Sequence, residues 1–179
     1  AELIYGFKEK LSKEQFKKSI EDNTFLNYVN KVKVKKGDVF FIKSGTLHAI
    51  GGGILLAEVQ QNCNTTYRVY DYGRLVNGKL RELHIDKAVD VTVTDAPTRS
   101  GDPDGKAVSC GEAVITELCS CEFFKMTSLS VSGAHTVDVL DDSFLSVLIL
   151  DGKGSITSGG AAVSVKKGDS VFIPASSGE

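Results

Sequence analysis

The sequence predicts a mainly β protein, built as a sandwich or jelly roll, with a short helical segment near the N-terminus. Short runs rich in Val, Ile and Phe alternate with turns along most of the 179 residues, and 18 glycines are available for those turns. A block of eleven residues, VKVKKGDVFFI at 32–42, recurs without gaps as VSVKKGDSVFI at 163–173. Because such self-similarity marks a duplicated unit, we expect two related β units in the chain.

The helical segment is predicted from its start signal. Ser12 and Gln15 have the spacing of a capping box, and Leu11 and Phe16 occupy the hydrophobic positions that flank it. A helix is therefore expected to begin at Ser12 and to end near Asn23.

Beyond this helix the hydrophobic period changes to two, which predicts strands. The first expected strand begins at Val29, where Val32 and Val34 alternate with Lys31, Lys33 and Lys35. The other expected strands are residues 39–42, 54–60, 66–70 and 89–94 in the first half, and 113–119, 123–131, 136–140, 144–150, 162–165 and 170–173 in the second. Between the halves the stretch DAPTRSGDPDGK gathers Asp, Pro and Gly, which is typical of a linker.

Composition excludes several classes of protein. Lys and Arg total 21 against 23 Asp and Glu, so the net charge of −2 lacks the basic surplus of a nucleic-acid binder. No apolar run approaches the ~20 residues that span a bilayer, and the N-terminus AELIYGFKEK lacks the layout of a secretion signal. The four cysteines form no C-x2-C pair, which favours reduced thiols. We expect a cytoplasmic protein with neither a nucleic-acid nor a membrane partner.

A histidine motif follows the first copy of the repeat. Gly37, Gly45 and His48 have the spacing G-x5-P-x-G-x2-H, with Lys43 in the position of Pro, and this pattern resembles the second motif of the cupin superfamily. The first Gly turns the strand, the second lets the backbone approach closely, and a neutral imidazole can bind a metal ion. The alternative for His48 is a strand-end residue that hydrogen-bonds locally. The equivalent position of the second copy is Glu179.

The run GTLHAIGGGILLAEVQQNCNTTYRVYDYGR, at 45–74, resembles the type I phosphomannose isomerase (mannose-6-phosphate isomerase) family, and RELHIDKAVDV at 81–91 continues the resemblance. The similarity covers essentially the whole chain. It implies a cupin-type jelly roll with a second, smaller cupin-like unit. On this basis the chain divides into a helical segment at 1–30, part of a catalytic cupin jelly roll at 31–97, a linker at 98–107, and a second cupin-like β domain at 108–179.

The resemblance implies that the protein interconverts mannose 6-phosphate and fructose 6-phosphate, a small-molecule sugar-phosphate reaction that passes through an enediol and is assisted by zinc. In this family pattern His48 matches a zinc ligand, and Arg68 matches an arginine beside the substrate, where a permanent cation stabilises the enediolate. Glu58 is assigned as the proton-shuttling base. The oligomeric state is left undetermined.

Three further side chains are predicted to bind the substrate. Arg74 is placed on the phosphate, Asp71 orients Arg68, and Gln60 hydrogen-bonds sugar hydroxyls. Each has a structural alternative: Arg74 and Asp71 as a surface ion pair, Gln60 as a partner of buried backbone, and Glu58 as a strand carboxylate paired with Arg68.

The sequence departs from the family pattern in its metal ligands. The family's Gln-x-His pair and Glu precede the late histidine, and residues 1–47 contain no Gln-x-His. The remaining ligands of the one zinc ion are therefore expected upstream of this chain, which is expected to be the C-terminal portion of the enzyme and inactive alone. The alternative is a non-catalytic cupin-type sugar-phosphate-binding or scaffold module; retention of the whole run from Tyr67 to Arg74 favours the enzyme.

Overall fold

The computed structural model describes residues 1–177 and divides the chain into two compact units. Unit 1 comprises Ala1–Ala107 and Thr116–Ser128, and unit 2 comprises Val108–Ile115 and Leu129–Glu179. Gly178 and Glu179 lie outside the described residues, so the prediction about Glu179 is not tested. Of the helices in residues 1–177, none is both long and apolar enough to cross a membrane.

The described residues are mainly β, as predicted. In residues 1–107 the regular elements are β1 (Glu2–Phe7), α1 (Lys13–Glu21), a 3-10 turn (Phe25–Asn27), β2 (Val29–Lys33), β3 (His48–Ile50), β4 (Leu75–Val76), β5 (Lys79–Leu80) and α2 (Ile85–Val91). The remaining strands are β6 (Val108–Cys110), β7 (Ala113–Ser120), β8 (Lys125–Val131), β9 (Leu145–Leu148), β10 (Lys153–Ser158), β11 (Ala161–Lys166) and β12 (Ser170–Ile173).

The N-terminal segment is a strand followed by a helix. Residues 2–7, which the sequence assigned to the helical segment, form the central strand β1 of an antiparallel sheet in the order β2, β1, β3. Tyr5, Phe7 and Leu3 are buried, so this short apolar run is stabilised as a strand by pairing on both sides. The register places Tyr5 opposite His48, and β1 thereby fixes the position of the predicted metal ligand.

Helix α1 begins as the sequence predicts. The Ser12 hydroxyl accepts the Gln15 N–H at 3.1 Å, and the Gln15 side-chain oxygen accepts the Ser12 N–H at 2.8 Å, which is a complete capping box. Phe16 and Ile20 on its inner face are buried. They join a core cluster whose buried members are Phe7, Leu11, Phe16, Ile20, Phe25, Val29, Val69 and Ala88. This cluster is the hydrophobic core of unit 1.

The predicted strand at 89–94 is wrong, because Ile85–Val91 is the helix α2. The alternating valines suggest a strand, but Ile85, Ala88 and Val89 also have helical spacing and pack on the core cluster. The Lys13 ammonium group donates to the carbonyl oxygens of Val89 and Thr92. A cation at the C-terminal end of a helix stabilises it, so tertiary contacts decide the structure here.

Three other predicted strands of unit 1, at 39–42, 54–60 and 66–70, contain neither helix nor regular strand. Their backbone makes isolated bonds such as that from Val39 N–H to the Gly101 carbonyl at 2.9 Å. A composition rich in strand-forming residues is therefore not sufficient, because a strand also needs a neighbouring strand with which to form regular hydrogen bonds. The predicted linker 98–107 also lacks regular structure, and it is part of unit 1, where the Arg99 guanidinium lies 5.1 Å from the Phe41 ring centroid.

Unit 2 contains short antiparallel pairs, with β10 on β11, β12 on β9, and β6 on residues 113–115 of β7. The repeated KKGD sequence adopts the same turn in each unit. Asp38 accepts the Lys35 N–H at 2.9 Å, and Asp169 accepts the Lys166 N–H at 2.9 Å. The glycines have φ angles of +94° and +91° in the first and second copy, a region that favours glycine. The KKGD turn is therefore repeated in structure as well as in sequence, although residues 39–42 lack the strand that their equivalents at 170–173 form.

Candidate functional site

A cleft of about 300 Å³ in unit 1 is lined by both β3 and the segment that carries the predicted arginines. The lining includes three of the predicted charged residues and the predicted metal ligand, and in full consists of Ile4, Phe25, Leu47, His48, Ala49, Ile50, Thr66, Tyr67, Arg68, Val69, Tyr70, Asp71, Tyr72, Arg74 and Arg81. Pairing of β3 with β1 forms one wall. The non-strand segment 66–72 forms the other.

The turn before β3 presents His48 to this cleft. Gly45 has φ +82°, and a Cβ at this position would lie 2.7 Å from the Val91 carbonyl oxygen, so only glycine fits this close approach. The Nδ1 atom of His48 lies 3.0 Å from the Thr46 carbonyl oxygen. Since a carbonyl can only accept, Nδ1 is the donor in this contact, and the lone pair of the neutral imidazole is then on Nε2. His48 is thus in the tautomer that binds a metal ion through Nε2.

Three guanidinium groups surround the carboxylate of Asp71. Its Oδ1 atom lies 2.5 Å from Arg74, 3.4 Å from Arg81 and 4.0 Å from Arg68. The Asp71 side chain is 8% exposed, and its Oδ2 atom is buried without a hydrogen-bond partner among the described residues. The hydrogen bond from Arg74 lowers the pKa of Asp71 below its usual value, and the charges of the three arginines act in the same direction. Arg68, Arg74 and Arg81 together with Asp71 form an arginine cluster whose net charge is +2.

A tight hairpin builds the outer part of the arginine cluster. Strands β4 and β5 pair as Leu75 with Leu80, across an Asn77-Gly78 turn whose φ angles are +53° and +76°. An Asn-Gly pair in this conformation is the preferred two-residue hairpin turn. The hairpin returns Arg81 to the neighbourhood of Arg74, so that both reach the same carboxylate.

Sequence reasoning assigned no role to Arg81. Arg81 begins the run RELHIDKAVDV, ten residues after Asp71. The signal that would have located it is the LVNGKL hairpin at residues 75–80, directly before Arg81. His84, for which a structural role was expected, contacts the backbone of Arg68.

Two predicted site residues do not line the cleft. Glu58 and Gln60 lie in the exposed segment 51–65, which has neither helix nor strand. The structure thus brings together His48, Arg68, Asp71 and Arg74. Glu58, the predicted base, and Gln60, predicted to bind sugar hydroxyls, do not line the same cleft.

Zinc requires several ligands, and four-coordinate sites are the rule. Within residues 1–177 no group of three or more His, Cys, Asp or Glu side chains is arranged to hold a metal ion. His48 could bind zinc as one ligand through its Nε2 atom, but the described residues do not form a complete zinc site by themselves.

Comparison with known proteins gives matches along the whole chain. Residues 114–179 match the family described as mannose-6-phosphate isomerase, cupin domain. The chain is 37% identical over 180 residues to mannose-6-phosphate isomerase ManA of Bacillus subtilis strain 168, covering 100% of this chain and 56% of that protein. It is 37% identical over 175 residues to the mannose-6-phosphate isomerase of Streptococcus mutans, covering 97% of this chain and 54% of that protein.

A crystal structure of the mannose 6-phosphate isomerase from Bacillus subtilis superposes on the chain with a TM-score of 0.86 at 34% identity. The match covers 99% of this chain and 56% of that structure. The chain therefore spans about half the length of the relatives it matches. These comparisons confirm the predicted resemblance and the cupin-type, mainly β fold.

Proposed function

Since the chain is similar along its whole length to mannose-6-phosphate isomerases, we propose that it forms the sugar-phosphate-binding part of an enzyme that interconverts mannose 6-phosphate and fructose 6-phosphate. The observation that carries the proposal is the single cleft that His48 shares with the arginine cluster. An imidazole with a free Nε2 and a surplus of positive charge are suited to an anionic, hydroxyl-rich substrate.

The charge of the arginine cluster supports binding of a phosphate. A phosphate monoester carries −1.5 to −2 charges near pH 7, about equal and opposite to the surplus of the cluster. Arg74 is the most exposed of the three arginines, with 62% of its side chain accessible, and Arg81 is 37% accessible. We assign these two to the phosphate group. Arg68 is 19% accessible, and we assign it to the reacting end of the sugar.

The reaction moves a proton between two carbons. A base removes the proton from C2 of the open-chain aldose, the electron pair forms the C1–C2 double bond, and negative charge develops on O1. The O2 hydroxyl then passes its proton to O1, the base returns its proton to C1, and the electron pair of the former O2–H bond forms the C2=O2 double bond of the ketone. A fixed guanidinium beside O1 and O2 stabilises the charge as it develops. This is the role that we give to Arg68.

Asp71 serves the site by holding the arginines rather than by touching the substrate. Its carboxylate lies within 4.0 Å of each guanidinium, and it reduces the repulsion among three like charges. Because the hydrogen bond from Arg74 lowers the pKa of Asp71, the carboxylate stays ionised at neutral pH. Asp71 is therefore a positioning residue for the arginine cluster.

Glu58 stays the candidate base, on the sequence resemblance, and Gln60 stays a candidate for the sugar hydroxyls. Both lie in the exposed segment 51–65, so these roles require that segment to approach the cleft when the substrate binds. Zinc also stays part of the proposal, with His48 as one ligand. The described residues supply no complete set of ligands for the metal ion.

The test is a coupled assay that measures fructose 6-phosphate formed from mannose 6-phosphate, run on the 179-residue chain and on the protein expressed at its natural length. We expect turnover from the natural-length protein, and only weak zinc binding and negligible turnover from the chain. A natural-length protein that binds mannose 6-phosphate without converting it would identify a non-catalytic sugar-phosphate-binding module instead. Stoichiometric zinc together with real turnover in the 179-residue chain would contradict the incomplete metal site.

A further inference from the structure

Arg68 and His84 exchange two hydrogen bonds, although they are 16 positions apart in the chain. The backbone N–H of Arg68 donates to Nδ1 of His84 at 3.1 Å, and the backbone N–H of His84 donates to the carbonyl of Arg68 at 2.7 Å. Two facing residues of an antiparallel sheet exchange N–H to carbonyl bonds in both directions. Here an imidazole nitrogen takes the place of one of the two carbonyl oxygens.

The carbonyl of His84 takes part in α2 instead of in this exchange. It accepts the N–H of Ala88 at 2.9 Å, which is a bond of the first helical turn. A residue at this position commonly caps the helix with its side chain. The His84 side chain makes no cap hydrogen bond. Its ring accepts the Arg68 N–H instead, so α2 lacks a side-chain cap and the cleft wall gains a hydrogen bond.

The residues around His84 also hold the side chain of Arg68. One terminal nitrogen of the guanidinium donates to the Glu82 carbonyl, two residues before His84, at 3.3 Å. Arg68 is thus fixed at its N–H, at its carbonyl and at its guanidinium. A side chain that is ordered before binding loses less entropy when it binds an anion, so this fixation favours binding and catalysis by Arg68.

We propose that His84 is a positioning residue that holds Arg68 in the cleft through its Nδ1 acceptor. The proposal rests on the proposed function, because it takes Arg68 as the group that faces the sugar phosphate. His84 itself lies outside the cleft lining and acts through Arg68. The amide can donate only to an unprotonated Nδ1, so the imidazole is neutral with its proton on Nε2.

The first test measures this tautomer directly. A long-range proton-nitrogen correlation spectrum of the ¹⁵N-labelled chain at neutral pH distinguishes a protonated from an unprotonated Nδ1 in each of the three histidines. We expect the proton of His84 on Nε2. A His84 ring with its proton on Nδ1 would overturn the proposal, because the hydrogen bond that carries it would not exist.

The second test separates positioning from a merely structural role by two substitutions. His84→Asn keeps an acceptor oxygen at the place of Nδ1, whereas His84→Leu has a similar volume and no acceptor. We expect the Asn variant to bind mannose 6-phosphate like the parent chain and the Leu variant to lose about tenfold in affinity, the effect of one hydrogen bond of ordinary strength. A structural role alone would lower Tm in both variants or leave the affinity of the Leu variant unchanged, and either result overturns the proposal. The matched controls are His135→Asn and His135→Leu, in unit 2.

A chain that does not bind mannose 6-phosphate would count against the proposed function rather than against the role of His84. Hydrogen exchange of the Arg68 amide then decides, since we expect protection in the parent chain and the Asn variant and loss of protection in the Leu variant. Equal protection in both variants would contradict the positioning role. If the Leu variant does not fold, the proposal is tested by the tautomer of His84 and by hydrogen exchange in the Asn variant. An unprotected Arg68 amide in the folded Asn variant counts against the proposal.

Discussion

Replacing Arg68 tests the proposed chemistry most sharply among single substitutions. Its guanidinium donates to the Glu82 carbonyl at 3.3 Å and lies 4.0 Å from the Asp71 carboxylate, with 19% of the side chain exposed. Lysine preserves the charge but has one nitrogen, so it cannot keep both contacts. Arg68→Ala removes the charge as well.

The expected magnitudes follow from these contacts. A hydrogen bond to a charged group contributes about 1.5–3 kcal/mol, which corresponds to roughly 10- to 150-fold, and we expect Arg68→Lys to lose kcat/KM in this range. Arg68→Ala also loses a cation directed at the developing negative charge, for which the expected loss of kcat is about 10²–10³-fold. Zinc content is expected to stay unchanged in both variants, because Arg68 is not a metal ligand.

The assay is the coupled measurement of fructose 6-phosphate on the natural-length protein, with thermal unfolding of each variant alongside. Arg99→Ala is the matched control, since Arg99 pairs with Asp104, lies over the Phe41 ring and does not line the cleft. Turnover of Arg68→Ala within about twofold of the parent protein would refute the assignment of Arg68. An equal loss in Arg99→Ala would show that the effect is not specific to the cleft.

Three further predictions concern stability. The Arg74 hydrogen bond chiefly holds the pKa of Asp71 below its ordinary value of 3.8. The ionised carboxylate therefore stabilises the fold at neutral pH, and this contribution is lost as the pH falls through the lowered pKa. The Tm difference between the parent chain and Asp71→Asn should accordingly shrink below about pH 4. Phe16 is fully buried, and Phe16→Ala should cost about 3–5 kcal/mol in urea unfolding. Gly37 and Gly168 have φ angles of +94° and +91° with open space where a Cβ would lie, so alanine at either position should cost about 1–3 kcal/mol through backbone strain.

Each of these predictions has an outcome that contradicts it. A pH-independent Tm difference would mean that Asp71 does not titrate at a lowered pKa in the fold. A small loss in Phe16→Ala would mean that the core cluster is not close-packed around this ring. Unequal losses at the two glycines, with one near zero, would show that the two copies of the KKGD turn are not structurally equivalent.

The features that could be predicted from the sequence are local ones. Helix α1 is predicted correctly at its start because the Ser12 and Gln15 side chains satisfy N–H groups within one turn. The roles of Gly37 and Gly45 are predictable because positive φ and close approach favour one residue type. In the same way, the spacing from Gly37 to His48 is local, because only eleven positions separate the two residues.

The features that could not be predicted depend on tertiary partners. Helix α2 was predicted as a strand because its valines alternate, and its helical form depends on the core cluster and on Lys13 at its C-terminal end. Arg81 joins Asp71 only because the β4–β5 hairpin reverses the chain. The contact of the His84 ring with the Arg68 N–H joins residues 16 positions apart, which no local pattern specifies.

A titration of the ¹⁵N-labelled chain with mannose 6-phosphate, followed by backbone amide shifts, shows directly whether the sugar phosphate binds in the cleft. We predict that the largest changes occur together at His48, Arg68, Asp71 and the hairpin that precedes Arg81, and that inorganic phosphate reproduces only the changes near Arg74 and Arg81. Changes confined to another surface, or an Arg68 amide that does not respond while the sugar phosphate binds elsewhere, would contradict binding in the cleft.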